Sequence, residues 1–241
     1  PRMVIPGFIQ SGVVVIAGAH GAGKTTVLVP LAMLVAGLHR AGDPLAPKHW
    51  RHVVYIAEDE AQVRRILSGV VGHAGVAASA ATLRERFHVV PAMRMPPDQV
   101  AEVAPIYRAQ FTRQVGDVAL PPLVVIDTKA ATVEVADENS NAEAGALVAL
   151  FKQRFEGLPL WLVGHVAKAL TTRKDVQGLS ARGASAIEAD AHQTLFLVVE
   201  GEEGAGQRFL VLGKRRFEPR WTELEVQSGT ADTSAVDEFG E

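Results

Sequence analysis

The stretch that decides the fold of this chain is Val13-Val14-Val15-Ile16-Ala17-Gly18-Ala19-His20-Gly21-Ala22-Gly23-Lys24-Thr25. Its first five residues form a continuous apolar run, which is typical of a strand buried on both faces of a parallel sheet. Residues 18–25 match the pattern G-x-x-x-x-G-K-[ST] at every fixed position. The residues from Lys24 to about His39 predict a largely buried helix that contains Pro30. A strand, a glycine-rich turn and a helix in this order predict a phosphate-binding loop.

Each residue type in this loop has a chemical role. Glycines let the backbone turn tightly, so that N–H groups point at phosphate oxygens, and the helix adds the positive end of its dipole. Lys24 is expected to reach the β- and γ-phosphates, and the Thr25 hydroxyl is expected to coordinate Mg²⁺. His20 occupies a variable position, where it would flank the nucleotide. The predicted contacts with the nucleotide, which we expect to be ATP, are Gly18, Ala19, His20, Gly21, Ala22, Gly23, Lys24, Thr25 and Thr26.

Strands and helices alternate along the rest of the chain. Short apolar runs predict strands at 53–57, 87–90, 123–126 and 160–164. The segments between them predict helices at 61–73, 97–115 and 142–155. This alternation predicts an α/β fold, with a mostly parallel central sheet flanked by helices and joined by right-handed crossovers. Two further strands, 193–199 and 208–213, predict a C-terminal antiparallel hairpin.

Polar residues follow several of the predicted strands. Asp127 ends the strand 123–126, as does the acid that holds Mg²⁺ beside a phosphate-binding loop, although such an Asp also serves as a helix cap. Glu58 is expected to orient the water that attacks the γ-phosphate, with Asp59 as its helper or as the cap of the next helix. His165 ends the strand 160–164. Because ligands bind at the carboxyl ends of the strands in an open α/β sheet, we expect these side chains to meet there.

The bulk composition limits the classes of function. The chain has 241 residues, a formal charge of −3 and no cysteine. This charge argues against nucleic-acid binding over the whole surface, and it allows a local basic stripe. The lack of cysteine excludes disulfides, zinc-thiolate sites and thiol catalysis, and it fits a reducing, cytoplasmic compartment. No apolar run reaches the roughly 20 residues that span a bilayer, so we expect no membrane association.

The chain is expected to hold one domain and a tail. Residues 1–226 are predicted to form the domain, and residues 227–241 are predicted to be an acidic, disordered tail. The phosphate-binding loop lies very close to Pro1. We therefore expect the sequence to be part of a longer protein, with fused or neighbouring domains beyond it.

These motifs together resemble one group of ATPases. The chain is similar to the RecA-like group in three features. It has a phosphate-binding loop after the first strand, an acid after the second strand, and an Asp127 that is not followed by Glu. Within this group, the chain resembles the RepA-type hexameric replicative helicases of plasmids and the wider set of RepA-like AAA-family ATPases. The similarity extends over residues 5–221 and is carried by Ile5-Pro6-Gly7, Gly12-Val13-Val14, Tyr55-Ile56-Ala57-Glu58-Asp59, Arg64-Arg65, Val125-Ile126-Asp127-Thr128, Gly164-His165 and Ala181-Arg182-Gly183-Ala184-Ser185.

The resemblance implies a RecA-like P-loop motor that hydrolyses ATP with Mg²⁺ and moves along single-stranded DNA as a ring, with a hexamer as the expected size. It implies that Glu58 is the catalytic carboxylate and that His165 senses the γ-phosphate. It also implies that Arg182 completes a neighbouring subunit's site as an arginine finger. Two positions depart from the family pattern: Val166 replaces a polar residue, and Lys129-Ala130 follows Thr128.

Two basic segments keep more than one interpretation. Lys168, Arg173 and Lys174 lie in a polar loop that would line the channel of a ring and grip phosphates, or would be a charged loop with no ligand. The run Lys214-Arg215-Arg216 could contact a nucleotide across an interface, contact nucleic acid, or be a solvated strand end.

Three other functions remain open. One is a RecA-like recombination or regulatory ATPase that acts as a filament or switch, and another is a nucleotide-dependent assembly module with weak catalysis. The third, a small-molecule kinase, is disfavoured because the acids fit water activation and no lid or acceptor pocket is evident.

Overall fold

The computed structural model describes residues 2–73, 76, 79–134, 141–165, 172–173, 176, 190–201 and 206–227. Its strands, in chain order, are β1 Met3–Ile5, β2 Ile9–Gln10, β3 Val13–Gly18, β4 Val53–Ala57, β5 Phe87–Pro91, β6 Arg113–Val115, β7 Val118–Leu120, β8 Leu123–Asp127, β9 Leu160–His165, β10 Gln193–Glu200, β11 Gln207–Leu212 and β12 Glu223–Val226. Its helices are α1 Lys24–Val35, α2 Glu60–His73, α3 Ala80–Arg86, α4 Pro97–Ala101, α5 Val103–Phe111, α6 Lys129–Thr132 and α7 Asn141–Arg154. None of the helices in this part of the chain has the length and hydropathy that a bilayer-spanning segment needs.

The central sheet of the described residues has eight strands in the order β12-β11-β10-β3-β9-β8-β4-β5. The strands from β10 to β5 are parallel, and β11 and β12 extend the sheet antiparallel. This arrangement confirms the predicted mostly parallel sheet and the C-terminal hairpin, which β10 and β11 form. The hairpin β1-β2 and the strand β12 were not predicted.

Alternate residues of the central strands face opposite sides of the sheet, and helices cover both sides. On one side Val14 and Ile16 pack in an apolar cluster that includes α1 residues such as Leu28. On the other side Val13 and Val15 pack in a cluster that includes Phe151 of α7. Strands buried on both faces read as continuous apolar runs, which is why the sequence located them.

The helix predicted up to His39 is shorter in the structure. It ends at Val35 because Gly37, with a φ of 72°, turns the chain into the left-handed region. The N–H of Gly37 donates to Leu34 O at 3.0 Å, and that of Leu38 donates to Met33 O at 2.9 Å, which is the bond pattern of a Schellman cap. The apolar run of the sequence continues past this cap, so the pattern does not indicate where the helix ends.

The single helix predicted for 97–115 is wrong. The structure has α4 and α5 separated at Glu102, and then the hairpin β6-β7. Pro105 explains the first break, because it cannot donate a hydrogen bond to the carbonyl of Ala101 and its ring crowds that carbonyl. The two-residue loop Gly116-Asp117, in which Gly116 has a φ of 55°, closes the hairpin.

The parallel strands give the sheet two chemically different ends. At the carboxyl end, β3, β4, β8 and β9 finish in the residues Gly18, Ala57, Asp127 and His165. At the amino end, the segments before β4, β5 and β8 enter the sheet. Pairing in register places Gly18 opposite His165, and Ala57 opposite Asp127. The polar residues that follow the strands therefore share one end of the sheet, as the sequence predicts.

Candidate functional site

The phosphate-binding loop joins β3 to α1 with backbone angles that its glycines permit. Gly21 has a φ of 73° and Gly23 a φ of 85°, both in the left-handed region that favours glycine. Gly23 is the N-cap of α1, and Lys24 is its first residue. The unpaired N–H groups of the first turn and the positive end of the helix dipole therefore lie at the loop, where anions bind.

The Lys24 ammonium lies inside this loop and binds its carbonyl groups. Its Nζ donates to the carbonyls of Gly18 at 3.1 Å and Ala19 at 2.8 Å, and it lies 3.2 Å from Nδ1 of His165. Burial lowers the pKa of Lys24, and the nearby charge of Asp127 acts in the opposite direction. The ammonium is thus held in the loop by neutral acceptors, which phosphate oxygens can replace with charge-assisted bonds.

Asp127 is the centre of a buried network at the end of β8. Its Oδ2 accepts the Thr25 hydroxyl at 2.8 Å and the Tyr55 hydroxyl at 2.6 Å. Burial, and after it the charge of Asp127, raises the pKa of Tyr55 well above its ordinary value. Tyr55 therefore stays protonated and donates to the carboxylate, which fixes the orientation of Asp127.

The other carboxylate oxygen of Asp127 fits a magnesium ion. Oδ1 is buried and lacks a hydrogen-bond partner within the described part of the chain. A buried carboxylate oxygen is costly unless it is paired or binds a metal. Carboxylate and hydroxyl oxygens are ligands that Mg²⁺ prefers, together with water and phosphate. Thr25 and Asp127 are thus suited to hold Mg²⁺, as the sequence predicts.

Glu58 lies beside Asp127, where β4 ends. Its N–H donates to the Asp127 carbonyl at 2.8 Å, and its Oε2 accepts the Thr128 hydroxyl at 3.0 Å. The residue is exposed, so the carboxylate reaches solvent while Thr128 fixes its direction. Of the two roles predicted for Asp59, the structure shows the cap, because its Oδ1 accepts the N–H of Gln62 in α2 at 2.9 Å.

His165 joins the end of β9 to the loop. Its Nδ1 contacts the Lys24 ammonium, and its ring centroid is 5.7 Å from that of His20. Both histidines are exposed in the single chain. The structure therefore brings together Lys24, Thr25, Glu58, Asp127 and His165, with His20 at the outer side of the loop.

A cleft of about 480 Å³ opens next to the loop, between the first turns of α1 and the strands β11 and β12. Most of its lining is apolar, including Val27, Pro30 and Leu224. Thr26 and Arg208 supply polar groups, and Nε of Arg208 donates to the Ala22 carbonyl at 3.2 Å. A mostly apolar cleft with a few polar groups is the usual form of a small-molecule site.

A family model covers most of these residues. Residues 1–170 match the model of the AAA_25 family, which is described as an AAA domain, and the match spans the loop, Glu58, Asp127 and His165. The chain belongs to this family. Comparison with curated proteins gives no significant match. Membership of a P-loop ATPase family implies that this AAA domain binds a nucleotide at the loop.

Three solved structures share the fold of this AAA domain. A KaiC-like protein from the hyperthermophilic archaeon Pyrococcus horikoshii OT3 is 14% identical with a TM-score of 0.56, over 90% of this chain and 85% of the other. The RadB recombinase is 15% identical with a TM-score of 0.56, over 92% and 87%. A third solved structure, of an ATPase domain, is 12% identical with a TM-score of 0.51, over 87% and 78%. These similarities confirm the RecA-like P-loop fold, and the narrower resemblance to RepA-type helicases stays a prediction.

Several predicted site residues are not brought to the loop. Arg182, Lys168 and Lys174 lie outside the described residues. Arg173 is described, and its guanidinium pairs with Glu200 at 3.2 Å and Glu223 at 2.8 Å. It also lies 4.1 Å from the centroid of the Phe209 ring. Arg173 is therefore bound to the C-terminal strands of this AAA domain, and in the single chain its guanidinium is paired, unlike the phosphate-gripping cation of the first of the two interpretations.

The basic run 214–216 lies at the amino end of the sheet. It follows β11, whose antiparallel direction places Leu212 opposite Leu195 near the start of β10. The N–H of Lys214 donates to the Thr194 hydroxyl at 2.7 Å. The run is therefore remote from the phosphate-binding loop of its own chain.

Three residues of the site of this AAA domain were missed by the sequence analysis. For Tyr55 the sequence predicts a place in a buried strand and in the family pattern but no role in the site, although a hydroxyl inside an apolar run indicates a polar partner. Thr128 was considered only as part of the family pattern. Arg208 begins a strand whose position beside the loop depends on the pairing of β10 with β3. For Arg208 no local signal was available.

Proposed function

We propose that this AAA domain is a Mg²⁺-dependent ATPase that works as the motor of a hexameric ring on single-stranded DNA. The observation that carries the ATPase part is the meeting of Lys24, the Thr25–Asp127 pair and the Glu58–Thr128 pair at one end of the sheet. These groups supply a phosphate-binding cation, metal ligands and a base for water.

The cleft beside the loop is the proposed place for the nucleoside part of ATP. It is continuous with the loop through Gly23 and Thr26 and is mostly apolar, which suits a purine ring. The Arg208 side chain lies between the loop and the cleft. From there it would contact the ribose or the phosphate chain while it supports Ala22.

Hydrolysis would proceed by in-line attack of water on the γ-phosphorus. Glu58 would orient the water and accept its proton as the new P–O bond forms and the bond to the β–γ bridging oxygen breaks, with ADP as the leaving group. Lys24 would stabilise the negative charge that develops on the phosphate in the transition state. His165, which contacts Lys24, would change its contacts according to whether the γ-phosphate is present. Thr25 and Asp127 would hold Mg²⁺, which would supply positive charge to offset that of the β- and γ-phosphates.

A ring arrangement explains the exposure of the γ-phosphate side. Glu58, His165 and His20 are all exposed in the single chain, so a neighbouring subunit would be needed to exclude water around the reacting phosphate. Arg182 is the proposed residue that the neighbour supplies. The resemblance of the motifs to those of RepA-type helicases supports a motor of this kind.

A second candidate is an assembly ATPase that forms a filament or a switch without moving along DNA. The fold similarity to the RadB recombinase and to the KaiC-like protein favours this candidate, whereas the motif resemblance to RepA-type helicases favours the motor. The two differ in what nucleic acid does to the ATPase rate and in the geometry of the assembly.

The test combines the ATPase rate with the size of the assembly. We expect single-stranded DNA to raise the steady-state ATPase rate by at least about tenfold, because a motor couples turnover to DNA contact. We also expect light scattering to show a closed hexamer with a non-hydrolysable ATP analogue. A rate that DNA does not change, or an open-ended filament, would favour the assembly ATPase.

The trans role of Arg182 is tested by mixing two inactive variants. Arg182→Ala retains its own loop, and Lys24→Ala retains the finger. If the finger acts across the interface, the mixture should hydrolyse ATP faster than either parent. A mixture no more active than its parents would exclude that role.

A further inference from the structure

Two arginines at the amino end of the sheet share one tryptophan. The guanidinium carbons of Arg86 and Arg113 lie 4.2 Å and 4.0 Å from the centroid of the Trp50 ring. Their separation therefore cannot exceed the sum of those two distances. Trp50 precedes β4, Arg86 precedes β5, and Arg113 begins β6, so three separate segments converge here.

The cluster is rigidly built. The Nε of Arg113 donates to the Trp50 carbonyl at 3.1 Å. Trp50 packs against Gly37 so closely that an added Cβ on Gly37 would lie 2.8 Å from the Trp50 Cβ. Arg86, Trp50 and Arg113 are all half-buried, so the guanidinium groups keep access to solvent. Two charged side chains are thus fixed in place at the surface, which lowers the entropy cost of binding a ligand.

These two charges have no acidic partner within the part of the chain that the structure describes. Among those residues, neither Arg86 nor Arg113 forms an ion pair, and Nε of Arg86 is buried without a hydrogen-bond partner. Glu85 lies near enough for its charge and its carbonyl, at 3.1 Å from Nδ1 of His52, to raise the pKa of His52 against the effect of burial, but its carboxylate pairs with neither arginine. Two like charges held together without a counter-charge repel each other, and an anion between them would remove that repulsion.

Two histidines extend the same cluster. The Nε2 of His88 lies 3.4 Å from Nδ1 of His52, and the His52 ring packs edge-on against Trp50 with centroids 5.1 Å apart. Imidazole N–H groups add neutral or charged donors next to the guanidinium groups. Guanidinium forks and imidazoles together match the oxygens of a phosphate group.

We propose that Arg86 and Arg113, held on Trp50, form a second phosphate-binding site at the amino end of the sheet. The site is separate from the phosphate-binding loop, because the full length of β4 lies between them. Among the described residues no group of three or more His, Asp or Glu side chains could hold a metal ion there, so its proposed role is binding. The phosphate can belong to a nucleic-acid backbone or to a free polyphosphate.

A second group of basic residues lies along the same end of the sheet. Burial lowers the pKa of His192, and the nearby charges of Lys152, Arg216 and Lys214 lower it further. These charges lie on the β10 side of the sheet, whereas Arg86 lies on the β5 side, so the titration of two probes decides between a nucleic-acid backbone and a free polyphosphate.

The test compares Arg86→Gln and the double variant Arg86→Gln/Arg113→Gln with Arg64→Gln. Arg64 is an exposed arginine paired with Glu60 on α2, so its substitution removes the same charge elsewhere. Two probes are titrated, a labelled thymidine oligonucleotide and sodium tripolyphosphate, both with the loop saturated by a non-hydrolysable ATP analogue. Thermal unfolding and ATPase activity without DNA are recorded for every variant.

We expect Arg86→Gln to weaken binding about tenfold and the double variant about a hundredfold, with Arg64→Gln unchanged. For the oligonucleotide, the slope of log affinity against log salt should fall by about one for each arginine removed. If the cluster had only a structural role, the substitutions would not change that slope. Loss for the oligonucleotide alone identifies nucleic acid as the source, and loss for tripolyphosphate alone identifies a free polyphosphate.

The proposal is overturned if neither probe binds less tightly to folded variants. If Arg86→Gln does not fold, Arg86→Lys retains the charge and loses the planar fork, and it should bind several-fold less tightly. Unchanged affinity of Arg86→Lys for both probes would also overturn the proposal. Loss of ATPase activity in Lys24→Ala does not affect these outcomes, so the site and the proposed ATPase fail independently.

Discussion

The two ends of the central sheet hold positive charge in different ways. At the carboxyl end, the Lys24 ammonium is surrounded by two carbonyls and an imidazole, with the Asp127 carboxylate close by. At the amino end, Arg86 and Arg113 share an indole ring without an ion pair among the described residues. One end combines both signs of charge, and the other accumulates one sign.

The difference shows what each end can do. Phosphoryl transfer needs a base, metal ligands and a cation around one phosphate, and we propose that Glu58, Asp127 with Thr25, and Lys24 fill these roles at the carboxyl end. The amino end offers two guanidinium groups and no group of metal ligands among the described residues, so we propose that it binds a phosphate without cleaving it. The following predictions test this separation, beginning with the largest effect.

Removal of the Lys24 ammonium should have the largest effect on ATP turnover. We expect Lys24→Ala to reduce the rate about a thousandfold, because the cation contacts the phosphates directly. Lys48→Ala removes the same group from an exposed position near the amino end and should retain the normal rate. The measurement is phosphate release at saturating ATP and Mg²⁺. Near-normal turnover by Lys24→Ala would contradict the proposed role of the loop in ATP hydrolysis.

The Tyr55 hydroxyl should matter for the metal. Tyr55→Phe leaves the Asp127 carboxylate with Thr25 as its remaining donor, so the Mg²⁺ concentration for half-maximal ATPase activity should rise about tenfold. The protein should also lose roughly 1 kcal/mol of unfolding free energy. Tyr107→Phe removes a hydroxyl from a half-buried residue of α5 and should leave the Mg²⁺ dependence unchanged. Equal Mg²⁺ curves for the two variants would contradict the role of Tyr55.

Arg208 should affect binding of ATP more than chemistry. Arg208→Gln loses the bond to the Ala22 carbonyl and a polar group of the cleft, so KM for ATP should rise about fivefold with kcat nearly constant. Arg215→Gln, an exposed arginine at the amino end, is the matched control. If kcat falls instead and KM stays constant, the arginine acts in catalysis and the cleft loses its proposed role.

The smallest effect concerns three histidines of the amino end. Burial lowers the pKa of His52, His88 and His192, and at His52 it outweighs the opposing effect of Glu85. A lowered folded-state pKa means that the unfolded chain takes up protons first, so stability falls as pH drops below about 6.5. At pH 5.5 each histidine should reduce the free energy of unfolding by on the order of 0.5 kcal/mol, after allowance for solvent screening.

Urea unfolding at pH 7 and pH 5.5 measures this loss, and His88→Gln should reduce it. A pH dependence that is the same in His88→Gln would show that other groups cause it. Tripolyphosphate should counteract the loss, because charged histidines next to Arg86 would bind it more tightly.

The sequence located the carboxyl end well because its elements are local. Residues 18–25 carry their own pattern, and the strands that end at Ala57, Asp127 and His165 are apolar runs of the expected length. In a parallel sheet such ends meet at one side, so the predicted meeting of Glu58, Asp127 and His165 did not need the strand order.

The rest depended on contacts between distant segments. Trp50 and Arg113 are joined only because the β6-β7 hairpin replaces the predicted helical segment, and no local pattern near either residue indicates the other. Arg173 was assigned to a free loop because its partners, Glu200 and Glu223, follow much later in the chain. The cap at Gly37 was hidden by an apolar run that continues beyond it.

Glu58 provides the most direct test of the central claim, which is that the carboxyl end of the sheet cleaves ATP with water oriented by this carboxylate. The measurement is a single turnover of Mg²⁺-ATP by Glu58→Gln and by Glu60→Gln, with nucleotide binding measured in parallel. The account predicts that Glu58→Gln binds ATP with normal affinity and cleaves it at least about a hundredfold more slowly, whereas Glu60→Gln, which loses only a surface pair with Arg64, cleaves it normally. Cleavage at the normal rate by Glu58→Gln would contradict the claim.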